Sequence, residues 1–282
     1  RAPIATRRIM SACAATAITL ALSAAPAGAT ILFQDGFESG NLSHTQSGIR
    51  WSGSNSGSAD DLRVSTQNPR AGSYSLQFTF TGGPAGDDAW SEQRFALGGQ
   101  YHELWTRYDL YVPANYVHRQ DGASNNKFLD FWADPYSPPS FYVNWSTTSN
   151  GGGGSDLEIH KAHAGSELPI DRPASGRDFI TAQDLGAWHE IVARLKVPTA
   201  DGANDGIAQM WKDGVQVVDL TAINNWGGTG KNYFDAGYLL GWSNSGFAET
   251  TVFYIDNVVF ADTPIDTSPA PKPKAPTNLQ VQ

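Results

Sequence analysis

Cysteine is almost missing from this chain. The single one, Cys13, falls inside an apolar stretch, so no disulfide framework and no thiolate metal site can form from Thr30 onward. Basic residues are also scarce: 19 Lys and Arg stand against 28 Asp and Glu, for a net charge of −9. Nucleic-acid binding needs a Lys/Arg surface, so that class is excluded. After residue 29 there is no long hydrophobic run, and no amphipathic pattern longer than about two helical turns. A helical bundle and a membrane span are therefore not expected in the main body.

Residues 10–29 read "MSACAATAITLALSAAPAGA", with Arg7 and Arg8 just before and Ala27-Gly28-Ala29 at the end. A charged start, a short apolar run and a small-x-small ending describe a secretory signal peptide over residues 1–29. Removing it takes Arg1, Arg7 and Arg8 and no acid, which leaves 16 basic against 28 acidic residues. The expected mature protein starts near Thr30, is secreted or periplasmic, and acts as a monomer. At the other end, 264–275 is a Pro-rich linker unable to form a core. Residues 276–282 resemble the opening strand of a fibronectin type III domain. Residues 30–263 are long enough for one substantial core.

What fills 30–263 is a series of short aromatic and β-branched runs between Gly, Asn, Asp and Ser clusters. Examples are "SYSLQFTF", "HELWTRYDLYV", "KFLDFWA", "SFYVNWST", "LEIHKA", "WHEIVARLKV", "YFDAGYLLGW" and "TVFYIDNVVF". Eleven such segments predict an all-β, two-sheet antiparallel jelly-roll sandwich. Asp213-Gly214 between two alternating runs predicts a tight hairpin.

Four segments carry a resemblance: "DGFESGNLS", "WTRYDLYVP", "GAWHEIVARLKVPTADGANDGIAQMWKDGVQV" and "FYIDNVVF". They resemble the concanavalin A-like jelly-roll superfamily, above all its polysaccharide lyase branch of heparin, glucuronan and alginate lyases. The resemblance implies a polysaccharide substrate containing uronic acid. It also implies a structural Ca²⁺ joining the first and last strands, with Glu38 and Asp256 as its acidic ligands. Oxygen-rich shells of this kind are what the ion requires. Two departures from the alginate lyase pattern stand out. No QIH strand exists; "EIH" at Glu158–His160 is nearest. In "YFDAGYLLGW", Leu239 falls where that family has a catalytic Tyr, and Tyr238 comes one position early, which alternation puts on the opposite face.

Elimination from a uronate requires a neutralised carboxylate, a base for the C5 proton, and an acid for the leaving oxygen. Alternation places His160 opposite Leu157 and Ile159, and Tyr142 and Asn144 opposite Phe141, Val143 and Trp145. Trp105, Arg107, Asp109 and Tyr111 share another outward face. His160 as base, Tyr142 as acid, and Arg107 with Asn144 on the carboxylate form the expected catalytic set, with His163 as the alternative base. His189 shares parity with Ile191, Ala193 and Leu195 and reads as structural. Asn125, Asn126 and Lys127 beside Trp132 suit an acidic sugar, and Trp105, Trp132 and Tyr111 suit ring stacking. Two alternatives remain open at this point. One is a non-catalytic carbohydrate-binding or adhesion domain. The other is a glycoside hydrolase using the paired carboxylates Asp156 and Glu158.

Overall fold

β-branched and aromatic side chains at alternate positions fit a pleated surface packed on one side, and that pattern dominates the chain. A computed structural model describes residues 30–57, 61–121, 124–134, 136, 141–163, 166–171, 176–226 and 230–268. The expected signal peptide, the fibronectin-like start and the linker beyond Ser268 lie outside the described residues.

Seventeen strands are present among the described residues. The first six are β1 (Ile31–Asp35), β2 (Thr45–Gln46), β3 (Ile49–Ser56), β4 (Asp61–Ser65), β5 (Ser75–Phe80) and β6 (Ala89–Tyr101). Next come β7 (Glu103–Val112), β8 (Asn125–Trp132), β9 (Phe141–Ser149), β10 (Ser155–His163), β11 (Ser166–Asp171) and β12 (Asp178–Ile180). The last five are β13 (Ala187–Lys196), β14 (Gly206–Lys212), β15 (Val215–Ile223), β16 (Phe234–Asn244) and β17 (Thr251–Ala261). Among the described residues no helix is long and apolar enough to cross a membrane.

The strands form two antiparallel sheets, so the two-sheet jelly-roll sandwich stands. The first runs β15-β14-β13-β7-β17-β5-β4, with β1 also on β17; the second runs β11-β10-β9-β8-β16-β6-β3-β2, with β12 on β10. The core between them is rich in phenylalanine. Phe95 of β6 and Phe260 of β17 meet across the layers with ring centroids 4.8 Å apart. Asp213 (φ 49°) and Gly214 (φ 77°) close the β14–β15 hairpin, both in the left-handed region that this turn demands.

Sheet membership corrects one expectation. β7 belongs to the first sheet, whereas β8, β9 and β10 belong to the second. Trp105, Arg107 and Tyr111 point outward on β7, so they stand on the opposite side of the sandwich from Asn144 and His160. The expected convergence of Arg107 with those residues does not occur. Strand alternation gives a face within one strand, but only the chain's path assigns that strand to a sheet.

Candidate functional site

The outer face of the second sheet carries a transverse row of polar side chains. The register pairs Arg94 with Tyr238, Tyr238 with Asp130, Asp130 with Asn144, and Asn144 with His160. Directly opposed residues on one face have Cβ atoms about 4.5–5.5 Å apart. Five chemically capable side chains from β6, β16, β8, β9 and β10 thus stand side by side. The strands hold them because Phe95, Leu129, Val143, Leu239 and Ile159, their in-strand neighbours, are anchored in the core.

A small apolar cluster of Trp132, Ala162, Ala236 and Tyr238 lies beside this row on the same outer face. It gives the site a ring-stacking surface. The guanidinium of Arg94 sits over Trp132 at 5.8 Å and over Tyr136 at 5.1 Å from the ring centroids. Glu92 holds it from below, accepting from Nε at 2.7 Å.

The row is sheltered from water: Asp130 is 0% exposed, Asn144 1%, Tyr238 2% and His160 9%. Asn144 donates from Nδ2 to Asp130 Oδ2 at 3.4 Å. Its Oδ1 is buried without a hydrogen-bond partner among the described residues. A buried orphan acceptor is costly in a folded protein and points to a ligand group that completes it. His160 Nε2 lies 2.9 Å from Glu158 Oε2. That contact fixes the ring, and with Glu158 ionised it places the proton on Nε2. The Tyr238 hydroxyl is raised well above its ordinary range, first by burial and then by the charge of Asp130 and the neighbouring Tyr136 and Glu92. Tyr238 therefore keeps its proton at neutral pH, with its hydroxyl hydrogen-bonded to Asp130.

The other expected residues scatter. Lys127 and Trp132 face outward on this sheet, with Lys127 Nζ donating to Asn125 Oδ1 at 2.9 Å and to Asn244 Oδ1 at 3.3 Å. Asn126 turns inward instead. A register shift between Lys127 and Leu129 breaks the alternation, and the Asn126 amide bonds Ser243, Tyr116 and His118 in the interior. The Asn126 side chain thus faces the interior, away from the outer surface of the sheet. The side chains of Tyr142 and His163 lie outside the described residues. Trp105 stacks on Trp211 at 5.6 Å, and Tyr111 meets Trp188 and Tyr254; both are on the far face. Arg107 lines a cleft of about 710 Å³ there with Arg70, Asp109 and Glu190. His189 is held by Asp213 at 2.6 Å and by the Asp184 carbonyl at 3.0 Å, in keeping with a structural role.

Glu38 and Asp256 serve a single loop. Glu38 accepts the backbone N–H groups of Ser73 and Tyr74, while Asp256 accepts those of Arg70, Ala71 and Asn257. Carboxylates turned to N–H donors do not present a cation shell. Among the described residues no group of three or more His, Cys, Asp or Glu could hold a metal ion. In this arrangement the two acids anchor the backbone of residues 70–74.

Alternation alone does not reveal four members of the site: Arg94, Glu92, Asp130 and Tyr238. Tyr238 faces outward with Trp132 while Leu239 and Leu240 both enter the core. Leu240 takes φ 53°, and the resulting bulge lets two successive leucines point the same way. Tyr238 does lie on the face opposite Leu239, as alternation predicts, and it is Leu239 that enters the core while Tyr238 joins the row. The signal available in the sequence was "SEQRF", which alternates Glu92 and Arg94 against Phe95.

Residues 37–259 match the model of a family described as polysaccharide lyase. Among solved structures, an endo-β-1,4-glucuronan lyase from the fungus Trichoderma reesei superimposes with a TM-score of 0.61 at 15% identity, over 83% of this chain and 96% of that one. An alginate lyase from a Chlorella virus gives 0.54 at 11% identity, over 82% and 99%. The cellulose-induced protein Cip1 gives 0.50 at 14% identity, over 82% and 97%. At these identities the likeness is one of fold. No curated protein sequence matches the chain.

Proposed function

Because this chain belongs to the polysaccharide lyase family, we propose that it cleaves a uronic-acid-containing polysaccharide by β-elimination at the Arg94–Tyr238–Asp130–Asn144–His160 row. The observation that supports this reading most is the row itself. An acid, an amide with an orphan oxygen and an imidazole fall on one line across four adjoining strands. Two proteins of similar fold, a glucuronan lyase and an alginate lyase, agree with an acidic glycan as substrate class.

The backbones of His160 and Tyr238 are three strand spacings apart, about 14 Å. Two side chains leaning inward leave room for one sugar ring over Asn144 and Asp130. His160 takes the C5 proton. The electrons of that C–H bond form the C4–C5 double bond, the C4–O4 bond breaks, and Tyr238 protonates O4 as it leaves. Asn144 and Arg94 stabilise the charge that builds on the uronate carboxylate, and the dry surroundings make their dipole and charge count for more than in water. Asp130 orients Asn144 by accepting from its amide. The alternative hydrolase pair is weakened because Glu158 is committed to His160.

The test is incubation with glucuronan, alginate, pectate, heparin and hyaluronan, followed by ultraviolet absorbance of the unsaturated product. Growth of absorbance on one polyuronate is expected. New reducing ends without absorbance would point to hydrolysis, and binding without either would point to a carbohydrate-binding domain.

A further inference from the structure

Four residues along β6 from Arg94, on the same outer face, stands Trp90, about 13 Å away at strand spacing. The register sets it directly opposite Trp242 of β16. Their rings are stacked with centroids 4.6 Å apart and planes within 4°. Both are half-buried on a face that the core does not require. Asp88 fixes the second ring, accepting from Trp242 Nε1 at 2.8 Å, and also accepts from Asn244 Nδ2 at 3.3 Å and Ser245 N at 2.9 Å. On the adjoining strand β8, level with Trp242, stands Lys127, its ammonium steered by the amide oxygens of Asn125 and Asn244.

An apolar ring face, amides for hydroxyls and an ammonium for a carboxylate are the three things an acidic pyranose chain needs from a surface. Here they gather side by side on adjoining strands, farther along the sheet from the acid–base row. We propose that the Trp90–Trp242 stack is a pyranose-binding subsite of the same face, and that an acidic polysaccharide running along the strands extends from Tyr238 to the tryptophans, where Lys127 stands beside them. This rests on the elimination reading for the position of the cleaved sugar. The stack lengthens the stretch of chain that is recognised, and Lys127 selects a carboxylate on the unit held at the tryptophans. Asp88 carries a charge at the same place, but with three N–H groups directed at it, it serves to set the ring rather than to repel the sugar.

The experiment uses the whole chain carrying Tyr238→Phe, so that substrate is bound and not consumed. Tryptophan fluorescence follows titration with polyglucuronate oligomers of increasing length, with a neutral β-glucan as control. In this background Trp242→Ala or Trp90→Ala should weaken binding of long oligomers roughly tenfold, the scale of one lost stacking contact. Short oligomers that reach only the row should bind as before. Lys127→Ala should weaken the acidic oligomers in a salt-dependent way and leave the neutral glucan unaffected. Trp242→Phe retains a ring and should recover most of the affinity, which separates a lost platform from a disturbed fold. Equal affinity of the alanine variants for long oligomers, or an equal loss for short and long ones, overturns the subsite. A chain that never forms unsaturated product, yet loses glycan binding on Trp242→Ala, would refute the elimination reading and leave the subsite standing.

Discussion

His118 sits in the interior between β8 and β10, 0% exposed. Its Nδ1 meets Ser155 Oγ at 2.8 Å, the Tyr116 hydroxyl at 3.2 Å and the Asn126 amide at 3.2 Å. Burial pushes the imidazole down from 6.5 to about 4, against the opposing pull of the Ser124 backbone and the charges of Asp121 and Glu158. The depressed value means the folded state prefers the neutral ring, so the unfolded chain binds the proton first as pH falls. The contribution is whole above pH 6.5 and is lost between 6.5 and about 4. At about 1.4 kcal/mol per unit, the full loss is about 3 kcal/mol. This is a large part of the margin of an ordinary domain. Urea unfolding followed by tryptophan fluorescence, at several values between pH 7 and pH 4, measures it. His118→Gln removes the titration, whatever it does to absolute stability. The wild-type protein should lose about 3 kcal/mol more than the variant over that window. Parallel stability curves for the two would refute the argument. Because Asn126, the second residue of β8, bonds into this network, the same acidification should also loosen the strand that carries Lys127 and Asp130.

Tyr238→Phe should lower kcat on the cleaved polyuronate by about 10²-fold or more, the scale of a lost proton donor, with a small loss of melting temperature from the missing hydroxyl. His160→Ala should abolish product to a similar extent, and initial rates of unsaturated-product formation check both. Arg107→Ala, on the opposite sheet, should leave kcat and KM unchanged; a large drop in either would move the chemistry to the other face. Gly237→Ala would bring a Cβ to 2.2 Å from the Asp130 carbonyl and 2.4 Å from Phe95. It should cost about 2–4 kcal/mol in urea unfolding, as overpacking in a closed core does, and should lower activity by shifting Tyr238.

The two-layer fold was legible because strand alternation is local and survives reading one segment at a time. The strands that escaped notice were those with little to bury, such as "IRWSGSNS" of β3, exposed along most of its length, and "DLRVS" of β4. The site was legible only in part, and the reasons are geometric. His160 and Asn144 lie on strands adjacent in both sequence and sheet, so parity alone set them on one face. Arg107 shares their outward character, but β7 lies in the other sheet between β13 and β17, a fact that no local pattern encodes. Asp130 was hidden inside "KFLDFW", where flanking aromatics make the run look wholly buried. Asn126 shares parity with Trp132, but the shift between Lys127 and Leu129 turns it inward. Tyr238 keeps its alternation with Leu239, and what hid it is that the family pattern puts its Tyr at the Leu239 position. Bulges gather where a strand must re-aim a side chain, so a reading by alternation fails soonest beside a functional site. In this chain the β8–β9 pairing shifts on both sides of Asp130, at Lys127/Leu129 and at Phe131/Trp132, and β16 shifts just after Tyr238, so the shifts flank the pair at the centre of the row.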